Sequence, residues 1–373
     1  MEAEFCLTPQ VQDWQWQIAD TMRRGIETSF GCRPDEVDCV QAIVEAVAGT
    51  PPVTGQGRSG DAFRLEVESA FLHGHRSQVS FRVGGATYQR ELADLLVIAT
   101  FVQDGALSFQ RACFIQAKRS ATPSGSSAAR FGIDTWQLAL LGSFPELMGI
   151  TGVLKGQTVH LRNRSGMLGA YGLLSPPGEF TVVSARILSQ VLGGRKSLPA
   201  KELVPAILSE VAASRNSSPT RSDHLWLDRF DPENCLSCRE IACYFPEFLH
   251  HLWCHRQAHV GQHAPVVNTP AASILTCAGL DEFVQSWTGL LLGEVWHAGN
   301  PTDSDRTLRR CVSRIVSRVA AQAGTLQRVD RLLREAGGGG DDPIPHDTAD
   351  WGPAGLGVLS VIATSSRGQE MER

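Results

Sequence analysis

The chain has 373 residues, of which 42% are hydrophobic and 20% charged, and its formal net charge is -5. A chain of this length can bury a large core, and the composition excludes disordered, collagen-like and coiled-coil proteins. No stretch approaches the roughly 20 uninterrupted apolar residues of a membrane span, and the acidic N-terminus does not resemble a signal peptide. The sequence therefore predicts a soluble, cytoplasmic protein with no membrane partner.

The first third of the chain is predicted to form helices and then strands. Helical spacing of apolar residues predicts a helix over 12–30, and an acidic start with a glycine stop predicts another over 35–49. A third helix is predicted over 61–74, with Asp61 as its N-cap. Strands are predicted at 78–83, 91–102 and 109–118. The last two should pair across an Asp-Gly turn, with 91–102 at the centre of a sheet.

The rest of the chain is predicted to be mixed at first and then mainly helical. A helix should begin near Asp134, and another should cover 198–214. Short strands are predicted at 157–163, 167–175 and 179–185. A linker follows the second helix, and helices continue to about residue 336. A glycine-rich spacer then precedes a late strand, 356–366, that could return to the sheet.

Lysine is rare in this chain. Of 34 basic residues only four are lysines: Lys118, Lys155, Lys196 and Lys201. Arginine serves wherever a generic surface cation is needed, so a lysine can mark a position that requires a compact ammonium group. Genome composition and chance are the alternative explanation for any one of them.

Polar residues interrupt the two apolar strands that precede the helix at Asp134. Asp94 lies near the start of the central strand, where an unpartnered carboxylate costs several kcal/mol. Gln116 and Lys118 are two residues apart on the next strand and therefore share one face. The predicted helix 61–74 offers Glu66 or Glu68, and Glu66 lies closer to the edge of its apolar face. Two carboxylates and an amide oxygen suit Mg²⁺ or Mn²⁺, beside which a lysine can serve an attacking water and a phosphate.

This order of an acidic helix, a strand with Asp, a hairpin and a strand ending Gln-x-Lys resembles the PD-(D/E)XK nuclease superfamily. It is most similar to the Gln-x-Lys variant of Mrr-type restriction endonucleases, although Ala93 stands where that family usually has proline. The resemblance covers about 60–145. It implies that Glu66, Asp94 and Gln116 bind the metal and that Lys118 serves the water and the phosphate. Gln137, on the following helix, would contact the site or DNA.

The resemblance implies an α/β fold with a restriction-endonuclease-like mixed central sheet, flanking helices and a mainly helical C-terminal region. The predicted segments are an N-terminal helical segment, the nuclease-like core, a mainly helical region with a Cys/His cluster, and a spacer with a C-terminal strand and tail: 1–59, 60–195, 196–336 and 337–373. In the alternative interpretation, Asp94 only caps a strand end, Gln116 and Lys118 are polar residues at a sheet edge, and there is no metal site.

The function implied is Mg²⁺-dependent endonucleolytic hydrolysis of DNA, in bacterial defence against phage or other foreign DNA. The alternative is a catalytically inactive nuclease-fold protein that acts as a DNA-binding or scaffold subunit of a defence complex. RNA is a further candidate substrate. Another subunit of such a system is the expected protein partner.

Cysteine and histidine residues cluster between 235 and 259. Their spacing, C-x2-C followed by single residues, fits half of a zinc site, with four candidate thiolate ligands: Cys235, Cys238, Cys243 and Cys254. An iron–sulfur cluster that also uses the distant Cys32 is a second interpretation. The third is a buried helical segment whose Cys and His side chains bind no metal.

Four arginines recur at strict i+4 spacing near the C-terminal end of the helical region: Arg306, Arg310, Arg314 and Arg318. On a helix they would form one basic face that can follow DNA phosphates and bind them in a salt-sensitive way. A solvated face balanced by nearby acids is the alternative.

Overall fold

In the computed structural model, the described residues are 8–30, 35–57, 61–73, 77–122, 129–164, 166–194, 197–199, 276–298, 301–335 and 355–366. The helices are α1 (Pro9–Phe30), α2 (Glu36–Val47), α3 (Thr135–Ser143), α4 (Ala185–Leu192), α5 (Leu280–Thr288), α6 (Asp303–Ala323) and α7 (Gln327–Leu333). Within these ranges, no helix combines the length and the apolar character needed to cross a membrane.

Most of the strands lie between α2 and α4 along the chain. They are β1 (Val53–Gln56), β2 (Ala62–His73), β3 (Gln78–Val83), β4 (Ala86–Glu91), β5 (Leu95–Gln103), β6 (Ala106–Arg119), β7 (Arg130–Gly132), β8 (Leu147–Gly149), β9 (Thr158–Val159), β10 (Gly169–Ser175), β11 (Glu179–Ser184), β12 (Ser197–Pro199), β13 (Thr276–Ala278), β14 (Glu294–His297) and β15 (Gly355–Ser366).

One mixed sheet organises the described part of the chain. Its strand order is β1-β2-β15-β5-β6-β10-β11-β13, and β14 pairs with the first part of β6. The β5–β6 pair is antiparallel and turns at Asp104 and Gly105, which both have positive φ as a tight Asp-Gly turn requires. The β15–β5 and β6–β10 pairs are parallel. A smaller sheet has the order β4-β3-β8-β9.

Two hydrophobic layers cover the opposite faces of the main sheet. Helices α3, α4, α6 and α7 and the smaller sheet pack on one face, here called the α3 face. Helices α1, α2 and α5 pack on the other face. Strands β5 and β15 are apolar almost throughout because both of their faces are buried. The protein is thus a mixed α/β structure whose central sheet is flanked by helices.

The prediction of a helix over 61–74 is wrong, because these residues form the long strand β2. Its side chains alternate between the layers: Phe63 and Leu65 point to the α1 side, and Ala70 points to the α3 face. All twelve of its residues pair with β15. The segment contains both helical and alternating spacings, and the tertiary pairing with a strand nearly 300 residues later decides between them.

Most other predicted elements in the described ranges are confirmed. These include the two N-terminal helices, the hairpin, the helix after Asp134, the three short strands and the late strand, which lies at the centre of the sheet rather than at an edge. Seven strands of the described ranges were not predicted: β1, β4, β7, β8, β12, β13 and β14. Of the predicted helix 198–214, residues 198–199 lie in strand β12 and the rest lie outside the described residues. The linker after it and the glycine-rich spacer also lie outside the described residues.

Candidate functional site

The residues singled out on β5 and β6 meet on the α3 face. Leu96 and Ile98 of β5 belong to that face, so Asp94, at the same parity just before the strand, points there too. On β6, Phe114 belongs to it and Ile115 to the opposite layer. Gln116 and Lys118 therefore lie on the α3 face, as the sequence predicts.

Asp94 is held by hydrogen bonds from β6. Its carboxylate oxygen Oδ2 accepts a bond from the Gln116 amide, Nε2, and a second from the backbone N–H of Ala117 at 2.7 Å. Its own backbone continues the sheet, with its N–H donating to Ile115 and its carbonyl accepting from Gly357. The side chain is only 5% exposed. The structure thus brings Asp94 and Gln116 into direct contact.

Gln137 extends this network from α3. Its Nε2 atom donates to Gln116 Oε1 at 2.9 Å and to the backbone carbonyl of Glu91 at 2.8 Å. The helix begins at this point because the Asp134 side chain accepts from the backbone N–H groups of Trp136 and Gln137. Gln116 and Gln137 are 7% and 4% exposed. The buried side-chain amides of Gln116 and Gln137 therefore link the end of β4, the β5–β6 hairpin and α3.

The electrostatic environment of Asp94 favours its neutral form. Burial raises the pKa of Asp94 from 3.8 to about 7, and the negative charges of Glu91 and Glu36 add to this. The positive charge of Lys118 and the Ala117 N–H act in the opposite direction. A carboxyl group whose pKa lies so far from its ordinary value is more common at functional sites than elsewhere.

Two further polar groups border the network. Tyr171 of β10 pairs in register with Gln116, and its fully buried hydroxyl makes no hydrogen bond to any described residue. Burial raises the pKa of Tyr171 far above its usual value, and the charges of Asp134 and Asp94 add to it. Beside it, Arg90 binds Asp134 through two nitrogen–oxygen contacts of 3.0 Å each. This ion pair ties β4 to the start of α3.

Glu66 does not join the Asp94 site. Through β15 it lies level with Thr100, six residues further along β5 and two strands away, a distance of about 20 Å along the strands. Its carboxylate binds Arg328, at the start of α7, and Arg64. Glu68, the alternative, accepts the backbone N–H groups of Arg328 and Val329 in the first turn of α7. Both carboxylates hold a helix to the sheet, because residues 61–74 are a strand and not the expected acidic helix.

The carboxylates that act on Asp94 lie on elements outside the predicted motif. Glu91 is the last residue of β4 and lies three residues before Asp94. Glu36 is the first residue of α2, a helix with an acidic first turn and a capping box between Asp35 and Asp38. The sequence shows the acidic start of α2. It does not show that Glu36 lies near Asp94, because the two residues are far apart along the chain.

The donor set suits a hard divalent cation. Asp94 offers Oδ1, to which no described residue donates a hydrogen bond, and Glu91 adds negative charge nearby. Mg²⁺ is commonly bound by one or two carboxylates and keeps several waters. In the described part of the chain, no three His, Cys, Asp or Glu side chains already form a metal-binding group. A divalent cation at this position would be held by Asp94 Oδ1 and completed by water.

The predicted arginine face exists on α6. Arg306 and Arg310 are exposed, Arg314 and Arg318 are half-buried, and Arg306 forms an ion pair with Asp303 at 2.6 Å. Helix α6 packs on the α3 face of the sheet, which also carries Asp94. The cysteines proposed as zinc or iron–sulfur ligands, including Cys32, lie outside the described residues.

Comparisons with protein-family models, with curated proteins and with solved structures find no match to this chain. The site is therefore described by its own geometry. A buried carboxylate, an amide relay and a lysine share one face of a mixed sheet, close to the N-terminus of α3. Such an arrangement can bind a cation at the carboxylate and present an ammonium group to an anionic substrate.

Proposed function

We propose that this protein hydrolyses phosphodiester bonds in DNA with the help of Mg²⁺ or Mn²⁺. The observation that carries the proposal is the buried contact between Asp94 and Gln116 with Lys118 on the same face of the adjoining strand. This arrangement supports the resemblance to PD-(D/E)XK nucleases at Asp94, Gln116 and Lys118. A role in defence against foreign DNA follows from that resemblance alone.

Each residue has a distinct task in this proposal. Asp94 holds the cation, with Glu91 as the second carboxylate in place of Glu66. The cation, when bound, lowers the pKa of water and offsets negative charge on the phosphate. Lys118 binds a phosphate oxygen and orients the water, since its ammonium group is close enough to lower the pKa of Asp94. The arginines of α6 contact the DNA backbone outside the reacting phosphate.

The test is cleavage of plasmid DNA in the presence of Mg²⁺. Lys118→Ala and Asp94→Ala should each lower the rate by about 10²–10⁴-fold, the usual contribution of a positioned proton-transfer or charged group. Lys155→Ala is the matched control, because this lysine lies exposed beside the β8–β9 turn. Equal rates for the wild type, Lys118→Ala and Asp94→Ala would contradict the proposal.

A non-catalytic DNA-binding or scaffold subunit is the second candidate. The observation that favours it is that protein donors already occupy Asp94 Oδ2, so the same network could serve the fold alone. In that case the purified protein should bind DNA in a salt-dependent way without cutting it, and Lys118→Ala should leave both properties unchanged.

A further inference from the structure

The orientation of two buried amides can be deduced from one backbone carbonyl. The Glu91 carbonyl can only accept a hydrogen bond, so the Gln137 amide must present its nitrogen to it. The same nitrogen has a second N–H, which is donated to Gln116. Gln116 must therefore turn its oxygen toward Gln137 and its nitrogen toward the Asp94 carboxylate.

This orientation conflicts with a direct role for Gln116 as a metal ligand. To offer its oxygen to a cation beside Asp94, the amide of Gln116 would have to rotate by half a turn. Its nitrogen would then face the nitrogen of Gln137, which Glu91 holds in place, and two donors would oppose each other. A buried pair of donors without an acceptor is costly, so the network resists the rotation.

We propose that Gln137 is a positioning residue: anchored on the Glu91 carbonyl, it fixes Gln116 as a hydrogen-bond donor to Asp94 Oδ2, and Asp94 binds the divalent cation through Oδ1. The inference rests on the proposed function, because it concerns the same cation. Gln116 acts on the cation only through Asp94. The relay holds the carboxylate in one orientation and leaves one of its oxygens for the cation.

The two possible roles of Gln116 predict opposite effects of removing the Gln137 amide. If Gln116 only positions Asp94, Gln137→Met releases Gln116, and cation binding weakens. If the Gln116 oxygen is itself a ligand, the same substitution removes a competitor for that oxygen, and cation binding becomes tighter. Methionine is close to glutamine in length and volume, so the substitution removes the hydrogen bonds with little change in packing.

The first measurement is Mn²⁺ binding by the full chain, followed by electron paramagnetic resonance. Gln137→Met should weaken binding by about 10–100-fold, the usual effect of losing a residue that orients a ligand. Gln15→Met is the matched control, since Gln15 is equally buried and donates to Thr288 at 2.8 Å in the opposite layer. It should bind Mn²⁺ like the wild type. Unchanged or tighter binding by Gln137→Met overturns the proposal.

The second measurement is a double-mutant cycle on unfolding by urea in the presence of EDTA. Gln137→Met should lower the unfolding midpoint in the wild-type background and have a smaller effect when Gln116→Met is already present, because only the bond to the Glu91 carbonyl is then lost. Additive effects would mean that Gln137 does not act through Gln116 and would overturn the relay.

The two measurements separate this inference from the proposed function. If wild type and Asp94→Asn bind Mn²⁺ equally, or neither binds it, the proposed function fails and the cation part of the inference fails with it. The double-mutant cycle, which is measured without the cation, then still tests whether Gln137 acts through Gln116. If the wild type binds Mn²⁺ through Asp94 but Gln137→Met binds equally well, only the positioning role is overturned.

Discussion

Replacing Asp94 by asparagine should change how the stability of the protein depends on pH. Burial, with the charges of Glu91 and Glu36, raises the pKa of Asp94 in the folded protein from 3.8 to about 7. The folded carboxyl group therefore keeps its proton between about pH 4 and pH 7, where the unfolded chain has lost it. This contribution to stability is complete below pH 4 and is lost as the pH rises through 7.

The size of the effect follows from the two pKa values. Each unit of difference corresponds to about 1.4 kcal/mol, so Asp94 alone removes up to about 4 kcal/mol from the free energy of unfolding between pH 4 and pH 8. Asp94→Asn cannot ionise, and its side-chain oxygen can still accept from Gln116 and Ala117. The variant should match the wild type near pH 4.5 and exceed its stability at pH 8.

Urea unfolding at both pH values, in EDTA, measures this difference. Asp134→Asn is the matched control, because the pKa of Asp134 is shifted the other way: burial raises it, but the hydrogen bonds from Arg90 and from the backbone of α3 outweigh burial and lower it. That variant should lose about the same stability at pH 4.5 and pH 8, because the lowered pKa of Asp134 lies below both values. A stability difference between wild type and Asp94→Asn that is the same at pH 4.5 and pH 8 would refute the reasoning.

Three further predictions concern the surroundings of the site. Tyr171→Phe should leave the free energy of unfolding unchanged or raise it, measured by urea unfolding, because the buried hydroxyl that it removes bonds to no described residue. Glu68→Ala should cost about 1 kcal/mol in the same assay, because Glu68 caps α7, but should not change DNA cleavage. Arg310→Glu with Arg318→Glu should weaken DNA binding and flatten its salt dependence, measured by fluorescence anisotropy at several salt concentrations.

The hairpin and its motif could be predicted from the sequence because they depend on local patterns. The apolar run of β5, the Asp-Gly turn and the parity of Gln116 and Lys118 are all set within about 25 residues. The same holds for the helix that Asp134 caps. Each of these features is decided by spacing and turn chemistry rather than by distant contacts.

The assignment of 61–74 failed for the opposite reason. Phe63, Val67, Ala70 and Phe71 fit a helical stripe, and the alternating residues of the same segment fit a strand. Helix propensity cannot decide between these patterns, whereas pairing with β15 along the whole of β2 does, because it satisfies the backbone groups on one side of the segment from end to end. The wrong placement of Glu66 follows directly, because Glu66 was predicted to lie on a helix whose residues form β2.

The role of Gln116 shows what a motif leaves undetermined. The spacing of Gln116 and Lys118 gives the face on which the amide lies but not which end of it faces Asp94. That choice depends on Gln137 and on the carbonyl of Glu91, which belong to two other elements. Oxygen toward Asp94 would make the residue a ligand, whereas nitrogen makes it a donor that orients one. In the structure the Gln116 nitrogen faces Asp94. The hydrogen bonding of Asp94 therefore depends on the packing of α3 against the hairpin as much as on the motif itself.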